Sequence, residues 1–189
     1  MFDRFRARMF NRGASRPSSR PAQILSSLAL KPGANVADYG SGGGYFALHF
    51  AKEVGPQGKI YAIDINPAFL SFIRESAASS GLNNIETVPV PDIESRIPPI
   101  SLDLIFCRDV YHHLSDRISL FMSLSSYLKP EGRVAIIDWL PDASRFFGPP
   151  AGHRTAPEAI IKEMEAAGFQ VLERPDFLPR QSFTIFKLR

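Results

Sequence analysis

Apolar and polar positions change period several times along the chain, and each change marks an element. Short apolar runs bounded by turn residues recur at Asn35–Tyr39, Lys59–Asp64, Asn84–Val90, Leu102–Cys107 and Arg133–Asp138. Ile60–Ile63 is apolar at every place, as a parallel strand covered on both faces should be. Helical spacing fills the intervals at about Gly44–Val54, at Pro67–Gly81, and at Asp116–Leu128, where Ile118, Phe121, Leu124 and Leu128 share a face. Pro67 suits a first helical turn and Gly81 the place past a helix end. Pro21–Leu30 reads as a short helix with Ile24, Leu25 and Leu28 inward. Thr155-Ala-Pro-Glu158 reads as a capping box opening a helix that ends at Gly168. Pro91–Ile100 is proline-rich and too short for a good crossover helix, and Lys129-Pro-Glu-Gly132 predicts a turn. Phe169–Glu173 and Ser182–Leu188 close the chain as strands. Only about eight residues separate them, too few for a parallel crossover, so they pair antiparallel. Strands alternating with helices predict an α/β fold: a mostly parallel seven-stranded sheet, its last strand antiparallel, with helices on both faces.

A chain of 189 residues is most simply one domain. Its net charge of +3 hides an asymmetry. Residues 1–20 carry six arginines against Asp3 alone, a net +5, which leaves −2 for residues 21–189. The basic character belongs to an arm, so no nucleic-acid-binding face is expected on the body. Within the arm, Phe2, Phe5, Met9 and Phe10 can form one apolar stripe on a short helix. It reads as a lid packed on the domain or as a weak membrane contact. Cys107 is the one cysteine, which excludes a disulfide framework and a cysteine-based metal site. No metal is expected, and a reducing, cytoplasmic location fits.

The chemistry concentrates at Val36-Ala-Asp-Tyr-Gly-Ser-Gly-Gly-Gly-Tyr45, a buried strand entering a glycine turn and then a helix. The free amides of such a turn favour an anion, and Asp38 adds an acceptor beside them. That pairing suits a ligand carrying a carboxylate and an ammonium, such as an amino acid. The dinucleotide fingerprint wants Gly or Ala at the sixth place from Gly40. Tyr45 stands there, and a bulky ring obstructs the close helix–strand approach that fingerprint serves. Asp64, at the tip of the second strand, has the position to hold ribose hydroxyls, or to serve as a turn acid before Asn66-Pro67.

Four blocks in order, VADYGSGGGYFALHFA, KIYAIDINP, LDLIFCRDVYHHL and LKPEGRVAIIDW, make the chain resemble a class I S-adenosylmethionine-dependent methyltransferase over about residues 21–189. The resemblance implies a Rossmann-like sheet and S-adenosylmethionine as cofactor. It implies that Asp38, Gly40, Ser41, Gly42 and Gly44 cradle the methionine part, that Asp64 and Ile65 meet the ribose, and that Asp92 and Ile93 meet the adenine. Tyr45 and Phe46 would wall the methionine side. The tail Gly148–Thr155 and Glu163–Phe169 is similar to the branch of quinone-biosynthesis-like and type 11 small-molecule enzymes. Arsenite methyltransferases resemble the core but hold the metalloid with several cysteines, and Cys107 stands alone. The Asn/Asp-Pro-Pro-Tyr motif of amino-group methylation is absent after the fourth strand, where Cys107-Arg-Asp-Val110 stands.

Methyl transfer is an in-line displacement that needs alignment and dryness, and a base only where the acceptor must lose a proton. The expected acceptor is a small molecule methylated at oxygen or carbon of a ring or enol. The alternatives are cofactor binding without turnover and action on a lipophilic acceptor at a membrane. Candidates cluster after the fourth strand. Arg108 is a cofactor-binding candidate and Asp109 a catalytic one, placed near the cofactor's amino end or the acceptor, unless the two form a capping or turn ion pair. Tyr111 and His112 are catalytic candidates, and His112 is preferred over His113 as base because one of the two adjacent histidines is expected in the core, His113 then meeting the substrate. Trp139 walls the pocket or fills the core. His153 and Arg154 stand where they would anchor an acceptor carboxylate or phosphate.

Overall fold

The computed structural model describes residues 2–142, 150 and 154–189. Seven strands form one sheet: β1 (Asn35–Tyr39), β2 (Lys59–Asp64), β3 (Ile85–Pro89), β4 (Leu102–Arg108), β5 (Leu128–Trp139), β6 (Phe169–Glu173) and β7 (Gln181–Leu188). Their order is β3-β2-β1-β4-β5-β7-β6. The first five pair in parallel, and β7 runs antiparallel to both β5 and β6. The helices are α1 (Phe2–Ala14), α2 (Pro21–Leu28), α3 (Tyr45–Val54), α4 (Pro67–Ser79), α5 (Ile93–Arg96), α6 (Arg117–Ser125) and α7 (Pro157–Ala166). Strand order reverses between β1 and β4, which opens a crevice at their carboxyl ends.

Two apolar layers cover the sheet. One seats Ile24, Leu28, Phe46, Phe50 and Phe106, and the other seats Tyr111, Phe121, Leu124, Met164 and Phe169. Each covers one face of the parallel strands, which accounts for their largely apolar runs, unbroken at Ile60–Ile63.

Three boundaries differ from expectation. The segment Lys129–Gly132 is part of β5, not a turn. Leu128 pairs with Leu102, the register shifts, and pairing resumes at Leu104 with Arg133. The Lys129 ammonium is anchored on Asp103 at 2.7 Å, so the bulge is held rather than looped out. In consequence α6 stops at Ser125, and Leu128 belongs to the sheet, while Ile118 is 38% exposed. The capping box at Thr155 does not form. Ala156 occupies the cap with no side-chain bond, and the Thr155 hydroxyl accepts from Arg117 Nη1 at 3.2 Å. The proline-rich segment after β3 winds into a short 3-10 turn, Val90–Asp92, and then α5.

The basic arm is helix α1, lying across α4 and the glycine turn. Arg4 makes a two-pronged contact with Glu75 at 2.9 and 2.6 Å, and Phe10 packs edge-on against Phe69. Ala7 is fully buried, and Asn11 Nδ2 donates to the Gly43 carbonyl at 2.8 Å. Phe2 and Phe5 remain largely exposed, and Met9 and Phe10 are about half exposed where they border the cavity. Among the described residues, no helix is long and apolar enough to cross a membrane.

Candidate active site

A cavity of about 1020 Å³ lies at the carboxyl ends of β1, β2, β4 and β5, roofed by α1. Its floor is the glycine turn. Gly40 and Gly44 have φ of 77° and 78°, and a Cβ on either would sit 2.6 Å from Val110 or Ile73. The turn thus needs glycine for both dihedral and contact. Gly43 needs it for contact alone, because a Cβ there would overlap the Ala7 carbonyl oxygen of α1.

The amides of the turn are largely committed within the protein. Gly40 and Ser41 donate to the Ile63 carbonyl at 2.9 Å, Gly44 to the Ser41 carbonyl at 2.8 Å, and Gly42 to Asp64 Oδ2 at 2.8 Å. Those four N–H groups are therefore engaged within the protein, and the first amides of α3, at Tyr45 and Phe46, are not among them. Arg6, Arg16, Arg108 and Arg180 line the cavity, and Arg108 is the one set deep beneath the β4 end. Its side chain is 7% exposed, and Nε and Nη1 have no hydrogen-bond partner among the described residues. Only Nη2 is bonded, to Gln181 Oε1 at 3.2 Å, and the guanidinium lies over the Phe46 ring. Two buried N–H donors without partners are costly unless a ligand accepts them.

Around this cation sit three acids. Asp38 is 4% exposed, and burial pushes its carboxyl up to about 7, against a partial pull from the Ala47 amide. Asp109 stands at φ 57°, a left-handed conformation that is rare outside glycine and turns it toward the cavity. Burial raises it to about 6, opposed by Arg108, and Gln181 Nε2 donates to its Oδ1. Gln181 on β7 thereby ties Arg108 to Asp109. Asp64 accepts from Gly42 through Oδ2 and from the Asn66 amide at 2.9 Å through Oδ1. Each of its oxygens keeps a second lone pair for the cavity it lines.

The opposite wall holds His112. Its Nδ1 is 2.7 Å from Asp138 Oδ1, and its own amide donates to Asp138 Oδ2 at 2.8 Å. Asp138 is fully buried at the end of β5. His113 lies beside it, with ring centroids 4.1 Å apart, and also lines the cavity.

Most of the residues expected from the sequence converge here. Asp38, Gly40, Ser41, Gly42, Tyr45, Phe46, Asp64, Ile65, Arg108, Asp109, His112, His113 and Trp139 all line the cavity. Gly44 lies just beneath, as the cap of α3. Tyr111 does not line it. It is fully buried against Phe121, its hydroxyl donates to Glu163 at 2.7 Å, and burial with that bond holds its pKa far above the usual phenol range. It is a core anchor, not an acid or base. Asp92 and Ile93 are also displaced. The 3-10 turn winds Asp92 off the cavity and drops Ile93 into the core, so Val90 supplies the wall instead. Arg154 is not among the lining residues, and its Nη1 donates to the Pro141 carbonyl at 3.4 Å. His153 lies outside the described residues. Sequence reasoning missed Asp138, Gln181 and the contribution of α1 (Arg6, Met9, Phe10 and Asn11). Among the described residues, no cluster fit to hold a metal occurs.

The residues present fit a ligand with an amino-acid end and a ribose. Arg108 offers donors for a carboxylate, Asp38 an acceptor for an ammonium, and Asp64 lone pairs for hydroxyls. A solved S-adenosylmethionine-dependent methyltransferase from Aquifex aeolicus superimposes with a TM-score of 0.85 at 26% identity, over 96% of this chain and 98% of that one. An arsenite methyltransferase of Halobacterium salinarum is 29% identical over 77% of this chain and 39% of its own length. A demethylmenaquinone methyltransferase of Listeria monocytogenes is 25% identical over 61% and 49%. The chain spans less than half the length of these two curated relatives. A family described as "Methyltransferase domain" matches residues 30–167, and the chain belongs to that family.

Proposed function

We propose that this chain binds S-adenosylmethionine and transfers its methyl group to a small-molecule acceptor. The observation that carries the reading is one cavity in which Asp38, Asp64 and Arg108, whose Nε and Nη1 make no hydrogen bond among the described residues, face one end and His112, His113 and Trp139 the other. When bound, the cofactor supplies a methyl group on a sulfonium, already activated for displacement. The protein's part is binding, alignment and exclusion of water. Arg108 takes the carboxylate, Asp38 the ammonium and Asp64 the ribose, with Ile65, Phe69 and Val90 as apolar walls for the base.

The relatives' names narrow the acceptor. Arsenite does not fit, because Cys107 lies fully buried within β4 and burial raises its thiol far above the reactive range. A small organic acceptor fits a cavity of this size once the cofactor takes its share. We place the protein in the cytoplasm, a reducing compartment that suits a lone free thiol.

Calorimetry with S-adenosylhomocysteine tests the binding half. A complex tighter than millimolar is expected, and no heat at that concentration sinks the proposal. Incubation with methyl-labelled cofactor then separates turnover from binding alone.

A further inference from the structure

We propose that α1 is an interfacial helix that seats the protein on an anionic lipid bilayer. The inference goes beyond methyl transfer and does not depend on it. The helix has two faces that use different residues. Ala7, fully buried, and Asn11, bonded to the Gly43 carbonyl at 2.8 Å, hold one face on the body. Phe2, Phe5 and Met9 recur at helical spacing on the side away from Ala7, and are 72%, 61% and 55% exposed. Docking on the body and contact with lipid therefore do not compete, because packing the helix leaves its apolar stripe uncovered. Three large apolar side chains in one stripe form a patch, unlike apolar residues scattered singly over a surface.

Charge decides what covers the patch. Arg8 and Arg12 stand one helical turn apart beside the stripe, and Arg16 and Arg20 follow the helix. All four are exposed and make no ion pair among the described residues. Asp3, the one acid of residues 1–20, lies 3.5 Å from Arg6 and accepts from Asn66 Nδ2 at 3.4 Å. Phenyl rings entering the acyl boundary, beside guanidinium groups that meet phosphate and carboxylate headgroups, are complementary to a bilayer of net negative charge. An acidic protein face would take the arginines and leave the rings in water. A two-fold contact with a second copy would set arginines against arginines, since residues 1–20 carry a net +5. At a rise of 1.5 Å per residue, the 13 residues of α1 span about 20 Å, too short to cross a bilayer and enough to lie on one. Met9 and Phe10 also border the cavity, so a protein seated on α1 turns one lip of the cavity toward the lipid.

Co-sedimentation with vesicles tests the proposal. Vesicles of phosphatidylcholine alone are compared with vesicles of equal parts phosphatidylcholine and phosphatidylserine. The protein should bind the mixed vesicles far better than the neutral ones, and raised salt should weaken that binding. Phe2→Ser with Phe5→Ser, and separately Arg8→Gln with Arg12→Gln, should each raise the lipid concentration for half-binding roughly 10-fold or more. These four side chains are exposed and none lines the cavity, so the melting temperature should stay as it is in the unsubstituted protein. No binding to the mixed vesicles, or equal binding to both kinds, overturns the proposal. A phenylalanine variant that binds as well as the unsubstituted protein also overturns it, because arginines alone would then account for the adhesion. Self-association lost in that variant, with no vesicle binding, would assign the face to a second copy instead.

Discussion

Asp64 does two jobs at one strand tip. Its oxygens hold the Gly42 and Asn66 amides, which sets the turn, and the same oxygens line the cavity. A charge-assisted hydrogen bond to a ligand is worth about 1.5–3 kcal/mol. Asp64→Ala should therefore weaken S-adenosylhomocysteine binding roughly 10- to 100-fold by calorimetry, and an unchanged affinity would remove Asp64 from the ribose role. This residue was legible because its place depends only on being the last acid of an apolar run. Asp138 was not. It too ends an apolar run, but its partner His112 lies 26 residues earlier on another element, and nothing local in the chain pairs them. Gln181 is further still, 72 residues from Asp109, and a glutamine at a strand start carries no signal of its own. Tyr111 misled for the converse reason. Its phenol sits among chemical neighbours in sequence, while the turn that follows points it into the core.

At the scale of elements, the alternation of strand and helix was readable because parallel strands buried on both faces are mostly apolar, with their acids kept to the strand tips and edges. The bulge at Lys129–Gly132 was not. Pro-Glu-Gly spells a turn locally, and only the pairing of Leu128 with Leu102 and the Asp103 anchor keep it in the sheet. Helix α1 shows the same limit. Its amphipathic stripe was visible, but its docking onto the glycine turn depends on Gly43 having no side chain. Gly43→Ala places a methyl group against the backbone of α1, which has to move away. Hydrogen exchange of residues 2–14 should then accelerate, and cofactor affinity should fall as Arg6, Met9 and Phe10 leave the cavity wall. Gly13→Ala is the matched control. A Cβ there meets nothing within 4 Å, and the helix gains up to about 1 kcal/mol of propensity. Equal exchange in the two variants would show that α1 is not held through Gly43.

For the molecule as a whole, the site sets how stability depends on pH. Asp38 and Asp109 are raised by burial to about 7 and about 6, far above an ordinary carboxyl near 4. Between about pH 4 and 7 the folded protein therefore holds protons that the unfolded chain has released. The stability that buried Asp38 contributes is complete below about pH 4 and is lost as pH rises through about 7, by at most roughly 1.4 kcal/mol per pH unit. Asp109, whose side chain is 39% exposed, acts in the same sense but more weakly because solvent screens it. Glu75, lowered by its contact with Arg4, acts in the opposite sense, but it is exposed and the pair contributes little. The unliganded protein should accordingly lose thermal stability between pH 5 and 8 relative to Asp38→Asn, which has no proton to release there. A cationic ammonium beside Asp38 favours the ionised carboxylate, so S-adenosylhomocysteine should bind more tightly as pH rises and restore more of the melting temperature at pH 8 than at pH 5. Melting curves of both proteins across that range, with and without the ligand, check the sign. A difference between them that does not vary with pH would mean that Asp38 is ionised throughout, and that burial at the turn is offset by contacts other than those of Ala47 and Arg108.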